Sequence, residues 1–77
     1  MNNTITDVII HTSAQLDDAQ FAEVCRQVYK EDGVVSLSRN VHTPRFLMVV
    51  YNAALTRSSR ILSAVKQQGY EATLIGI

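Results

Sequence analysis

The sequence predicts an α+β chain with the element order βαββαβ, and three observations carry the prediction. Short β-branched, alternating or continuously apolar runs stand at residues 4–12, 34–41, 46–51 and 72–77. Two stretches between them carry apolar residues at helical spacing. Gly33 and Gly69 stand where each helical stretch should stop. In a compact domain this order favours a four-stranded antiparallel sheet with both helices on one face, the ferredoxin-like arrangement.

Each element has its own grounds. Residues 4–12, TITDVIIHT, are short and β-branched, which reads as a strand. Over residues 17–31, Phe21, Val24, Cys25, Val28 and Tyr29 form one apolar helical stripe. From Val34 to Val41 the chain alternates. Val35, Leu37 and Val41 are apolar while Ser36, Ser38 and Asn40 are polar, as in a strand with one wet face. His42, Thr43 and Pro44 read as a turn. Phe46–Tyr51, FLMVVY, is continuously apolar, as expected of a central strand covered on both sides. Asn52 to Thr56 lead into a second helix with Ile61, Leu62 and Val65 as its stripe, and Ala72 to Ile77 form a last short strand. Right-handed crossovers then order the sheet as last, first, third and second strand. The loop after the first strand, the turn at His42 and the Gly69–Tyr70 corner meet at one end of it.

Bulk properties narrow the function classes. With 77 residues, the expectation is one small domain spanning 1–77. Seven basic and seven acidic residues cancel, which gives no electrostatic reason to expect nucleic acid or an anionic membrane as partner. The apolar runs are too short to span a bilayer. MNNTITDV lacks the basic start and long apolar core of a signal peptide. One cysteine makes no internal disulfide. Together these lead to the expectation of a cytoplasmic location. The sequence has no Gly-rich phosphate loop and no nucleophile with an evident base, so the chain is read as non-enzymatic.

The second half carries a family pattern. Leu47, Val49, Tyr51 and Asn52 stand where a V-x-V-x-Y-D strand end would be. Ile61, Ala64 and Val65 then match I-x-x-A-I, and Gly69, Tyr70, Ala72 and Leu74 match G-Y-x-A-x-L. With Gly33–Val34 as the G-V after the first helix, the chain resembles the heavy-metal-associated domains, the small copper-chaperone and metal-ATPase modules. The resemblance covers nearly the whole chain, with about one inserted residue in the central hairpin. It implies a ferredoxin-like fold and a link to metal handling.

That family's activity rests on G-M-x-C-x-x-C at the start of the first helix. Counting back from Gly33, the two cysteines fall on Asp17 and Gln20, and the glycine and methionine fall near Ala14 and Gln15. Every residue of the motif is replaced, so no soft-metal site carries over and no metal or cofactor is expected. Asp17 and Gln20 have the spacing of a capping box, Leu16 and Phe21 occupy the flanking staple positions, and Asp17 and Asp18 suit the positive end of a helix dipole. The loop thus reads as one that starts a helix without a metal.

The alternative ligand set is His11 and His42 with Asp17 or Asp18. Nitrogen and oxygen donors of this kind suit zinc, nickel or divalent copper. His11 with Met48 is the corresponding pair for monovalent copper. The simpler reading is of two isolated surface histidines. Cys25 lies on the apolar stripe and reads as core rather than ligand. Tyr70 is expected to pack under the loop, and Arg57, Arg60 and Lys66 to form a solvated helix face. Ser58 and Ser59 are placed at the start of the second helix.

Period-two alternation leads to one further expectation. If Leu47, Val49 and Tyr51 face the helices, Phe46, Met48 and Val50 face away, joined by Ile9 and Ile75. Such a patch reaches a few hundred Å², at the upper range for a soluble monomer. Covering it at about 25 cal/mol per Å² supplies several kcal/mol before association costs. A symmetric homodimer through the sheets is the simplest cover, since a two-fold needs only one self-complementary patch, and a larger partner protein is the other.

Overall fold

Strand β1 (Ile5–Thr12) lies between two neighbours because one of its faces is wholly apolar or hydroxylated. Val8, Ile10 and Thr12 are buried, and Ile9 and His11 point the other way. The computed structural model describes residues 4–75, so Gly76 and Ile77, the end of the expected last strand, lie outside the described residues. After β1 come α1 (Asp18–Val28), β2 (Val34–Asn40), β3 (Thr43–Asn52), α2 (Ser58–Lys66) and β4 (Ala72–Ile75). The strands form one antiparallel sheet in the order β2-β3-β1-β4, as expected of the ferredoxin-like fold.

One apolar cluster joins the sheet to both helices. Val24 and Val28 of α1 and Ile61 and Val65 of α2 meet Val8, Ile10, Leu37, Leu47, Val49 and Tyr51 of the sheet, all buried. Tyr70 and Leu62 pack against this cluster. Gly33 and Gly69 lie in the turns that follow the two helices, five and three residues beyond Val28 and Lys66, with φ of 96° and 93°, conformations that glycine adopts without a steric penalty.

Several sequence expectations need correction. The first helix stops at Val28, three residues short of Glu31, and Tyr29 is its C-cap. Tyr29 is half-exposed and outside the buried stripe; its hydroxyl instead accepts a hydrogen bond from the Leu37 N–H at 2.9 Å. The alternation of β2 is also broken. The pairing shifts between Val34 and Ser36, so Val34 packs on the core while Val35 is exposed. Such a bulge puts two residues opposite one and exchanges the faces on either side of it. Val41 belongs to the hairpin turn and is exposed.

Thr43 and Pro44 lie in β3, not in the turn. Pairing shifts there as well, from Arg39↔Leu47 to Asn40↔Thr43. Pro44 sits inside this irregularity, where a missing N–H costs no regular ladder bond. Finally, FLMVVY forms a central strand covered on one side only. Leu47, Val49 and Tyr51 are buried, whereas Phe46 and Met48 are 38% and 40% exposed.

Candidate interaction face and the loop at Asp17

The β1–α1 loop is held from four directions. Ser13 N–H donates to the Glu71 carbonyl (3.0 Å), and the Thr12 hydroxyl reaches the Ala14 carbonyl (2.8 Å) and the Arg45 carbonyl (3.4 Å). These bonds tie the loop to the start of β4 and to β3, so the three corners expected at one end of the sheet do meet there. Leu16 is buried in the core. Asp17 then makes a full capping box. Its Oδ1 accepts from the Gln20 N–H (2.7 Å), and its own N–H donates to Gln20 Oε1 (2.9 Å). A cap of this kind contributes about 1 kcal/mol to a helix start.

The fourth hold is Arg39, which sequence reasoning did not single out. Its guanidinium donates from Nη1 to the Leu16 carbonyl (2.7 Å) and from Nη2 to Asp18 Oδ1 (2.9 Å). It also lies over the Phe21 ring, 4.3 Å from the centroid. The Asp18 side chain is fully exposed, so the ion pair itself adds little; the carbonyl bond and the aromatic contact are better shielded. One sequence signal pointed to Arg39: it takes the inward slot two residues after the buried Leu37. An inward arginine requires a carbonyl, a carboxylate or an aromatic face, and here it finds all three.

The sequence-derived metal candidates are dispersed. His11 lies on the open face with its ring tilted against Phe46, centroids 5.1 Å apart. His42 is exposed in the hairpin turn, its N–H bonded to Asn40 Oδ1 (2.8 Å). Asp17 is engaged by the cap and Asp18 by Arg39. Among the described residues no group of three or more His, Cys, Asp or Glu side chains is gathered as a metal would require. Cys25 is half-buried against the core, and burial pushes its thiol pKa up, opposed more weakly by the charge of Arg39.

The opposite side of the sheet is open. Ile9 on β1 pairs with Met48 on β3 at one side and with Ile75 on β4 at the other, and Phe46 and Val50 stand in the adjoining rows. Phe46, Met48 and Ile75 are each about 40% exposed, and Ile9 and Val50 are half-buried. A shallow depression of about 580 Å³ runs over Ile9, Phe46, Met48 and Ile75 to a polar rim at Ser38, Asn40 and Thr43. The expected patch is therefore present, with the residues in the expected rows.

The fold defines a class: it is the ferredoxin-like fold shared with solved heavy-metal-associated domains. Solved structures carry this likeness over most of the chain. The N-terminal domain of a potential copper-translocating P-type ATPase from Bacillus subtilis, solved loaded with Cu(I), superimposes with a TM-score of 0.82 at 21% identity, covering 94% of this chain and 89% of that one. Oxidized MerP from Ralstonia metallidurans CH34 gives 0.80 at 19% identity, covering 94% and 99%. The N-terminal domain of PacS from Synechocystis PCC6803 gives 0.75 at 20% identity, covering 92% and 98%. No family model matches the chain, and no curated protein sequence matches it. The likeness is thus one of fold, and the chain, with its single cysteine, resembles the family without its metal motif.

Proposed function

We propose that this chain is a non-enzymatic protein-interaction module of the heavy-metal-associated type that associates through its open sheet face. It forms a homodimer and works alongside metal handling in the cytoplasm. The observation that carries the reading is the apolar row of Ile9, Met48 and Ile75 flanked by Phe46 and Val50, exposed on one side of an otherwise well-packed sheet. The capping box supports it, because Asp17 and Gln20 are committed to holding α1. The link to metal handling rests on neighbours whose descriptions name a copper-translocating ATPase and a metallochaperone. No helix among the described residues is long and apolar enough to cross a membrane.

The second reading is a metal carrier or sensor that uses His11 and His42 with Asp17 or Asp18, for zinc or copper. Its support is the metal named for the structural neighbours and the placement of His11 and His42 toward the same end of the sheet. An amide NMR titration separates the two. Zinc, and then monovalent copper under reducing conditions, should leave the spectrum unchanged at one equivalent. Saturating shifts confined to His11, Asp17, Asp18 and His42 would establish the carrier reading instead.

A further inference from the structure

The open face carries more than apolar area: its charged and aromatic groups are arranged symmetrically about one row. Four residues on four neighbouring strands form that row: Ser38, Met48, Ile9 and Ile75. On one side lie Asp7 and Val50, paired with each other across β1 and β3; on the other lie His11 and Phe46, likewise paired. Asp7 is exposed, and the His11 ring rests on Phe46.

We infer that a second copy of this chain docks face to face, with the two-fold axis lying along the Ser38–Met48–Ile9–Ile75 row and crossing the strands. This inference rests on the interface reading above. Rotation about that axis lays β1 antiparallel over β1 and β3 over β3. Each residue of the central row then meets its own counterpart. Asp7 of each copy meets His11 of the other, and Phe46 of each copy meets Val50 of the other. A carboxylate gains an imidazole N–H, and a ring gains a branched aliphatic side chain.

The competing two-fold runs along the strands, and it fails on charge. It keeps every residue in its own row, so Asp7 lands on Asp7 or Val50 of the second copy. The first places like charges opposite each other, and the second lays an unpaired carboxylate on an apolar side chain. Face-to-face packing with strands within about 30° keeps the rows near the centre in register. Four strands about 4.8 Å apart and five residues about 3.4 Å apart span roughly 300 Å² per copy, about 600 Å² for the pair, below the roughly 1,200 Å² of standard specific interfaces and in the range of weak, transient ones. The dimer should therefore be weak and dissociate readily on dilution.

The test combines sedimentation equilibrium with NMR on a mixed sample, one copy ¹³C-labelled and the other unlabelled. Intermolecular NOEs should join the Phe46 ring to the Val50 methyls and Ile9 to Ile9. Asp7→Lys should weaken the dimer about tenfold or more, and adding His11→Glu should restore it, because the new pair has reversed sign. The amide spectrum of each variant reports that it is folded. Intermolecular NOEs from Phe46 to Phe46 or to His11, or a dimer unmoved by Asp7→Lys, would overturn the arrangement while leaving a face-to-face dimer standing. A dimer with no intermolecular NOE on this face, or a monomer at all concentrations, would overturn the interface reading as well.

Discussion

Met48→Lys should turn the dimer into a monomer without unfolding the chain. Met48 sits on β3, already 40% exposed and paired with Ile9 on one side and Ser38 on the other. In a single copy a lysine there can extend its stem along the sheet and keep its ammonium in water, so the fold loses little. Across a dimer the effect is twofold. Each copy loses the burial of the exposed two-fifths of a thioether side chain, worth about 1 kcal/mol, and two ammonium groups are brought together. At about 1.4 kcal/mol per tenfold, the dimer should weaken by roughly thirtyfold or more. Sedimentation equilibrium reads this directly. Ala22→Lys, on an exposed position of α1, is the matching control and should leave the dimer intact. If Met48→Lys sediments as the wild type does, the open face is not where the chain associates.

Gly33→Ala should cost far more stability than Gly69→Ala, although both glycines have nearly the same φ, 96° and 93°. Backbone strain alone costs a non-glycine residue about 1–2 kcal/mol in this region. The difference lies in what a methyl group would meet. At Gly69 nothing lies within 4 Å of the added Cβ, whereas at Gly33 it falls 2.8 Å from Leu55 Cβ and 3.2 Å from the Asn52 carbonyl oxygen. Neither neighbour can yield easily. Asn52 anchors the β3–α2 turn: its N–H donates to the Gly33 carbonyl (2.7 Å), and its own carbonyl accepts from Leu55 and Thr56. Its side chain accepts from the Thr4 hydroxyl and from the Ala54 N–H. An expected loss of about 3–4 kcal/mol at Gly33 corresponds to a Tm lower by roughly 12–32 °C in a chain of this size, against roughly 4–16 °C for about 1–2 kcal/mol at Gly69. Equal losses at the two sites would show that the β3–α2 turn moves aside and that Asn52 holds it only weakly.

The element order was legible because glycine punctuation and hydrophobic period agree along most of this chain. Gly33 and Gly69 mark the turns after the helices, although the helices themselves stop a few residues earlier, at Val28 and Lys66, and the stripe of Ile61, Leu62 and Val65 fits one helical face. The capping box was legible too, since Asp17 and Gln20 act over three residues and need no knowledge of the rest of the fold. The exposure of Phe46 and Met48 followed from strand alternation, although the unbroken FLMVVY run also suggested cover on both sides.

What escaped were features set by pairing between strands. Two shifts in the β2–β3 ladder reverse the face of Val35 and draw Pro44 into the strand, and no local pattern marks an extra residue. Tyr29 looked like core because its spacing fits the α1 stripe; its hydroxyl is used to bond the Leu37 amide, a contact made across eight residues. The inward slot of Arg39 was legible, but its contacts were hidden for the same reason. Its partners, Leu16 and Asp18, are more than twenty residues away in sequence, and they reach it only once the loop has folded over the end of β2. The histidines show the opposite case. Their types suggested a metal, but the alternation of β1 sends His11 to the open face against Phe46, while Asp17 turns back to cap α1.

If the chain associates through the sheet face and not through the loop at Asp17, association needs no metal. Sedimentation equilibrium of the unmodified chain over a wide concentration range, with a strong chelator and again with one equivalent of zinc, should then give one monomer–dimer equilibrium with the same dissociation constant in both conditions. A chain that stays monomeric in chelator and dimerises only with metal would return the function to the histidines and the loop.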